Sequence, residues 1–181
     1  MINATVDAGR RGAAGTDSEP GFRVQAVPAA VLERIRAAGR DDFDNPLVPI
    51  TDEVGGSPMR CCLQRSAPGD VVYLISYRPF ASPGPYAEVG PVFVHAEPCL
   101  GYAATDRYPD GYRDWPTMIF RPYRYDGAIA YDAIRMGDAS TADALVAEMF
   151  SDPEIEFVHT RNVHAGCYMF AITRADARAD A

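Results

Sequence analysis

The feature that most constrains the fold is a succession of short apolar segments with strand alternation, separated by turns rich in proline and glycine. This pattern predicts strands over residues 22–27, 60–65, 71–78, 92–97, 117–125, 128–135, 155–161 and 167–173. Helical signals predict helices over residues 28–38 and 140–150. Strands that outnumber helices and follow one another in runs are typical of an α+β protein. We therefore expect a mostly antiparallel sheet with two main helices.

The chain divides into a core and two polar ends. Its 181 residues are enough for one domain with a full hydrophobic core. Residues 1–20 are rich in small and polar side chains without hydrophobic periodicity, and the last residues repeat a similar composition. We expect a disordered leader over 1–20, a single globular domain over 21–174 and a disordered tail over 175–181.

Charge and residue usage exclude several functions. The net charge of −8 argues against a nucleic-acid partner, which needs a basic face. All 17 basic residues are arginines, so lysine chemistry such as Schiff-base catalysis or a Walker-type phosphate loop is excluded. No apolar run is long enough to span a membrane, and the N-terminus lacks a secretory pattern. We expect a cytoplasmic protein with a small-molecule ligand and leave a homodimer open.

Two of the three histidines occur in matching local sequences. His95 and His159 each follow Phe-Val inside a predicted strand. Alternation places Glu97 on the face of His95 and Arg161 on the face of His159. A carboxylate beside one imidazole and a guanidinium beside the other would separate their pKa values, as an acid and a base require. The alternative is that both rings belong to the core and hydrogen-bond to the backbone.

The cysteines are candidates for two kinds of chemistry. Cys62 and Cys167 are candidate nucleophiles, since each lies near an arginine or a histidine in sequence. The alternative is that they are ordinary buried thiols, because free cysteine is a common small core residue.

Metal binding is a weaker candidate. The spacings His95-x3-Cys99 and His164-x2-Cys167 would permit chelation, and Cys61 or Cys62 would complete a set. However, no Cys-x2-Cys pair occurs, and adjacent cysteines on a strand point to opposite faces. We assign no metal ligand and no cofactor on this evidence.

Arginines on the predicted strands suggest an anion site. Arg78 and Arg121 both occur in an aromatic-Arg-Pro-aromatic pattern, which favours an extended backbone at each arginine. Together with Arg161 they would hold an anionic group, and Tyr86 and Glu88 in the preceding turn would add polar contacts. The alternative is that each arginine pairs with an acidic side chain and stiffens a loop.

Several longer motifs carry a resemblance to a known family. The chain resembles the uncharacterised bacterial proteins of domain-of-unknown-function family 1203 over residues 22–174. The resemblance implies one soluble domain and brings no catalytic residue or substrate with it. The motifs are Asn45-Pro46-Leu47, Arg60-Cys61-Cys62-Leu63, Ser76-Tyr77-Arg78-Pro79-Phe80, the stretch GPYAEVGPVFVHAEPC, FVHTRN and GCYMF.

These observations lead to three functional hypotheses. The first is a cofactor-independent small-molecule enzyme with paired histidines as acid and base and arginines that hold an anionic group. The second is a non-catalytic binding or interaction protein in which the same polar residues satisfy one another. The third is a metal-dependent enzyme with histidine and cysteine ligands.

Overall fold

The computed structural model describes residues 21–175. The expected leader over 1–20 lies outside the described residues, as does the expected tail apart from Ala175. The Ala175 N–H donates to the Gly21 carbonyl, so the two ends of the described chain meet.

Short strands and two helices follow one another along the chain. The α-helices are α1 (Ala29–Ala38) and α2 (Ala142–Phe150). The strands are β1 (Phe22–Gln25), β2 (Ile50–Asp52), β3 (Pro58–Met59), β4 (Gln64–Arg65), β5 (Asp70–Tyr77), β6 (Gly90–His95), β7 (Met118–Arg124), β8 (Arg135–Gly137), β9 (Ile155–Asn162) and β10 (Tyr168–Arg174). Two 3-10 helices span Asp110–Tyr112 and Tyr131–Ala133.

The strands form two five-stranded sheets. The first has the order β1-β10-β9-β7-β8 and the second the order β2-β5-β6-β3-β4. Neighbouring strands are antiparallel except for β3 and β6, where Met59 pairs with Phe93 in parallel. The expected α+β class with mostly antiparallel strands and two helices is confirmed, with the strands divided between two sheets.

Each sheet has its own buried cluster and its own helix. Phe120 and Phe170 of the first sheet pack with Val146 of α2. In the second sheet Val94 of β6 packs with Leu32 of α1. The end of β6 therefore lies against the second core, next to α1.

The two helices lie close to their expected positions. α1 starts directly after Pro28 and ends at Gly39, whose φ of 67° is the left-handed conformation that terminates helices. α2 ends at Phe150, as expected. Among the described residues no helix has the length and apolar character required to cross a bilayer.

Two expected strands are wrong in part. Residues 60–63 form a turn, which leaves only β3 and β4 on its two sides. The segment expected as a strand over 128–135 contains the 3-10 helix Tyr131–Ala133 and only the start of β8. Alternation of apolar side chains does not distinguish a strand from a tight turn over so few residues.

Candidate functional site

The turn between β3 and β4 brings two adjacent cysteines to one point. The Leu63 N–H donates to the Met59 carbonyl at 2.9 Å, and Leu63 has a left-handed φ of 55°. Side chains alternate between faces along a strand, but this turn breaks the alternation. The Sγ atoms of Cys61 and Cys62 lie 3.2 Å and 3.8 Å from Nδ1 of His95. The expectation that the two cysteines point to opposite faces is therefore wrong.

The ring of His95 is contacted from both of its nitrogens. His95 ends β6 and Asp70 starts β5; the antiparallel register pairs His95 with Val72, so Asp70, two residues before Val72, is a diagonal neighbour of His95. Nδ1 faces the sulfurs, while Nε2 lies 3.5 Å from Oδ2 of Asp70. A carboxylate on one ring nitrogen favours the tautomer whose other nitrogen carries a free lone pair. Nδ1 is thus oriented as a ligand toward the two sulfurs.

Cys99 completes a cluster of four donor residues, which we call the Cys-His cluster. One ring nitrogen of His95 and the sulfurs of Cys61, Cys62 and Cys99 all lie within 4.8 Å of one another. Arg36 of α1 holds the segment between His95 and Cys99, because it donates to the carbonyls of His95 and Ala96, both at 2.9 Å. The positions of the last two ligands are therefore tied to α1.

A backbone N–H adds support at one of the sulfur atoms. The N–H of His95 donates to Sγ of Cys61 at 3.4 Å, a contact that favours the negatively charged form of a thiol.

The pKa values of the three thiols in the cluster are shifted in different directions. A hydrogen bond with Cys62, together with burial, raises the pKa of the Cys61 thiol, and the same hydrogen bond lowers the pKa of Cys62. Burial raises the pKa of Cys99. A bound metal cation takes the place of these protons, because coordinated thiols are deprotonated. The cluster can therefore bind a soft divalent cation with release of protons.

A cleft opens beside the Cys-His cluster. It has a volume of about 360 Å³, and its lining includes Leu32 and Arg36 of α1, Cys61, Cys99 and Tyr102. Cys61 is buried and Cys99 is exposed, so the cluster is reached from the side of Cys99.

His159 lies in a different environment from His95. Its side chain is 1% exposed. The rings of Phe80, Tyr123, Phe157 and Tyr168 surround it at centroid distances of 4.8 to 5.2 Å. His159 itself is not a member of the Cys-His cluster. The expectation that both histidines line one accessible pocket is wrong, because His159 is sealed within the aromatic core.

Two of the expected anion-binding arginines converge on one carboxylate. Arg121 Nη1 donates to Glu88 Oε1 at 2.7 Å, and Arg161 pairs with the other oxygen of the same side chain. Glu88 thus lies where an external anion would bind. This is the arrangement expected from the alternative, in which the arginines pair with acids.

The other two residues expected at the anion site lie elsewhere. Arg78 is exposed just beyond β5 and makes no ion pair among the described residues. The ring of Tyr86 packs on Tyr131 at 6.4 Å between centroids. The described contacts bring neither residue to Arg121 or Arg161.

Cys167 lies beside a second, smaller cleft. Its sulfur accepts a hydrogen bond from Nη2 of the buried Arg60 at 3.1 Å. The cleft has a volume of about 240 Å³ and is lined by Cys167, Glu88 and Arg161, among others. A candidate nucleophile and two residues of the expected anion site therefore share one cleft.

Comparison with known proteins identifies the family. A profile of a family of proteins of unknown function, DUF1203, matches residues 56–174. The chain belongs to the DUF1203 family. The resemblance seen in the sequence is confirmed, and the matched region contains the whole Cys-His cluster as well as Cys167. No curated protein and no solved structure matches the chain significantly.

Two residues of these sites escaped the sequence analysis. Asp70 lies between the expected strands 60–65 and 71–78, and its contact with His95 depends on the register of β5 with β6. Arg60 falls in the expected strand 60–65, and its place among the largest fully buried side chains depends on packing that the local sequence does not show. The adjacent cysteines were an unusual feature of the sequence. A strand over 60–65 would place them on opposite faces, so the sequence did not suggest that they share one site.

Proposed function

We propose that this protein binds a divalent metal ion, with Zn²⁺ as the preferred ion, through Cys61, Cys62, His95 and Cys99. The observation that carries the proposal is the convergence of four donor residues, from the turn 60–63 and from the end of β6 onward, within 4.8 Å. Three thiolates and one imidazole form a ligand set of the kind that structural zinc sites use.

The spacing of the donors fits tetrahedral coordination. Zinc–sulfur distances of about 2.3 Å and zinc–nitrogen distances of about 2.0 Å place a sulfur and a nitrogen ligand about 3.5 Å apart around a tetrahedral ion. The separations of 3.2 Å and 3.8 Å from His95 Nδ1 to Cys61 and Cys62 lie on either side of this value. Small side-chain rotations are sufficient to bring all four donors to one ion.

Residues around the ligands support the same role. Asp70 faces the ring nitrogen of His95 that does not face the sulfurs, as outer carboxylates do in histidine–zinc sites. Soft thiolates favour Zn²⁺ over hard cations such as Mg²⁺ or Ca²⁺. Since all four positions are filled by protein ligands, the ion has a structural role, in which it ties the turn 60–63 to the chain that follows β6.

The enzyme with paired histidines is less well supported by the geometry. It requires His159 to reach a substrate, and that ring is enclosed by four aromatic side chains. Glu88 fills the arginine pair that would hold an anion. The anionic small-molecule ligand, the cytoplasmic location, the absence of a nucleic-acid partner and the homodimer stay predictions.

The test is a zinc titration of the reduced, metal-free protein against a chromogenic chelator of known affinity. We expect one equivalent of Zn²⁺ to bind. The variants His95→Gln and Cys99→Ser should each weaken binding by more than about 100-fold, because each removes a ligand. Asp70→Asn should weaken binding by about 10–100-fold, as loss of an outer partner does.

His164→Gln is the matched control, because His164 is exposed and lies outside the cluster. It should bind zinc like the natural protein. Equal affinity in His95→Gln and His164→Gln, or binding of less than half an equivalent by the natural protein, would overturn the proposal.

A further inference from the structure

A buried arginine lies next to Cys167 without a carboxylate partner. Arg60 is 1% exposed. Its guanidinium donates to the carbonyls of Tyr168 and Pro58 and to the sulfur of Cys167. A guanidinium stays charged in proteins, and a buried charge is costly unless an opposite charge lies nearby. Among these three acceptors, only the sulfur can become an anion.

The charges around the second cleft have a positive excess. Arg121 and Arg161 share the single carboxylate of Glu88. Arg60, which contacts Cys167, adds a third guanidinium group, while Glu88 is the only carboxylate in these contacts. Positive groups beside an accessible sulfur are typical of reactive cysteines.

A second observation points to a ligand in the same cleft. Arg161 lines the cleft and is only 7% exposed, yet its Nε has no hydrogen-bond partner among residues 21–175. Such buried donors are normally satisfied. Cys167 itself is partly accessible, in contrast to the buried Cys61 and Cys62. The cleft of about 240 Å³ has room for a small molecule beside an accessible sulfur.

We propose that Cys167 is a reactive thiol whose partner is a small hydroperoxide. The thiolate sulfur attacks the terminal oxygen of the hydroperoxide, so that an S–O bond forms and the O–O bond breaks. The electron pair leaves on the second oxygen as an alkoxide or hydroxide, which takes a proton from water. The sulfur is oxidised to a sulfenic acid, and the peroxide is reduced to an alcohol or to water.

The arginines have a defined part in this reaction. Arg60 stabilises the thiolate through its hydrogen bond, and Arg161 adds positive potential where the departing oxyanion forms. Glu88 opposes both effects, because its carboxylate neutralises part of the positive charge of the arginines. This site does not depend on the Cys-His cluster, so its test is independent of the proposed metal site.

The experiment treats the zinc-loaded protein with hydrogen peroxide and traps sulfenic acid with dimedone, and the rate at each cysteine is read by peptide mass spectrometry. We expect Cys167 to react at least about tenfold faster than free cysteine under the same conditions, although the thiol of free cysteine is fully exposed. Cys167→Ser should abolish the fast labelling.

Two charge variants test whether the neighbouring charges, and not exposure alone, make the Cys167 thiol reactive. Glu88→Gln should accelerate labelling of Cys167, because it removes the opposing carboxylate from a partly exposed position. Arg60→Gln should slow the labelling by about tenfold, and Glu88→Gln keeps the proposal testable if this variant does not fold. Labelling of Cys167 no faster than that of free cysteine, or an unchanged rate in Glu88→Gln, would overturn the proposal.

Discussion

At the scale of single residues, burial separates two histidines that have the same neighbours in sequence. The ring of His159 is enclosed by aromatic side chains, and its Nδ1 has no hydrogen-bond partner among the described residues. Burial, with Arg161 and Arg121 as further causes, lowers the pKa of His159 to about 3. His95, in contrast, keeps both ring nitrogens next to polar groups. The first ring is therefore enclosed in the core, and the second is placed as a candidate ligand.

The lowered pKa of His159 predicts a pH-dependent stability. Below about pH 6.5 the unfolded chain takes up a proton at this residue, while the folded protein stays neutral down to about pH 3. The free energy of unfolding should therefore fall with decreasing pH across this window, by up to about 1.4 kcal/mol per pH unit. His159→Phe fits the aromatic surroundings and removes this proton uptake.

Urea unfolding of both proteins from pH 7.5 to pH 5 measures the effect. The natural protein should lose more stability than His159→Phe over this range, and the other titrating groups cancel in the comparison. Parallel stability curves for the two proteins would show that His159 is not buried in its neutral form.

At the scale of elements, the turn 60–63 is supported by a 3-10 helix packed against it. The hydroxyl of Tyr112 donates to the Met59 carbonyl at 3.0 Å. A Cβ atom at Gly111 would lie 2.5 Å from the Leu63 carbonyl oxygen and 2.6 Å from the Gln64 Cα. This close approach requires glycine, because the contacted atoms belong to the backbone and cannot rotate away. The helix Asp110–Tyr112 thereby fixes the backbone on which two cluster ligands stand.

Gly111→Ala should therefore disturb both the fold and the metal site. We expect a loss of about 1–3 kcal/mol in the free energy of unfolding from overpacking. We also expect zinc affinity to fall by about tenfold or more, since Cys61 and Cys62 move with the turn. Thermal unfolding and the zinc titration measure the two effects.

Gly84→Ala is the matched control, because a Cβ atom there would meet nothing within 4 Å. It should change stability by no more than about 0.5 kcal/mol and leave zinc affinity as it is. A Gly111→Ala protein that binds zinc with natural affinity would contradict the supporting role of the 3-10 helix.

At the scale of the whole molecule, most elements could be predicted from the sequence because their signals are local. Pro28 and Gly39 set the limits of α1, and alternating apolar residues indicated the long strands such as β5 and β9. The division into two sheets could not be predicted, since it depends on long-range pairing such as that of β1 with β10.

The candidate site was less predictable for related physical reasons. The Phe-Val-His repeats suggested equivalent positions, but one lies in each sheet and packing gives each ring its own environment. Cys61 and Cys62 come together at a turn in which Leu63 has a left-handed conformation. Such a conformation is usually signalled by a glycine in the sequence, and here there is none. The spacing of His95 and Cys99 was recognised, whereas the partner cysteines required the turn. Local sequence thus identified the residues but not their grouping.

X-ray absorption at the zinc edge, on the protein loaded with one equivalent of Zn²⁺, distinguishes the four proposed ligands from any other set. We expect a first shell of three sulfur atoms at about 2.3 Å and one nitrogen at about 2.0 Å. In Cys99→Ser one sulfur should disappear from this shell. A first shell made of oxygen and nitrogen alone, or one unchanged in Cys99→Ser, would contradict the assignment of Cys61, Cys62, His95 and Cys99 as the metal ligands.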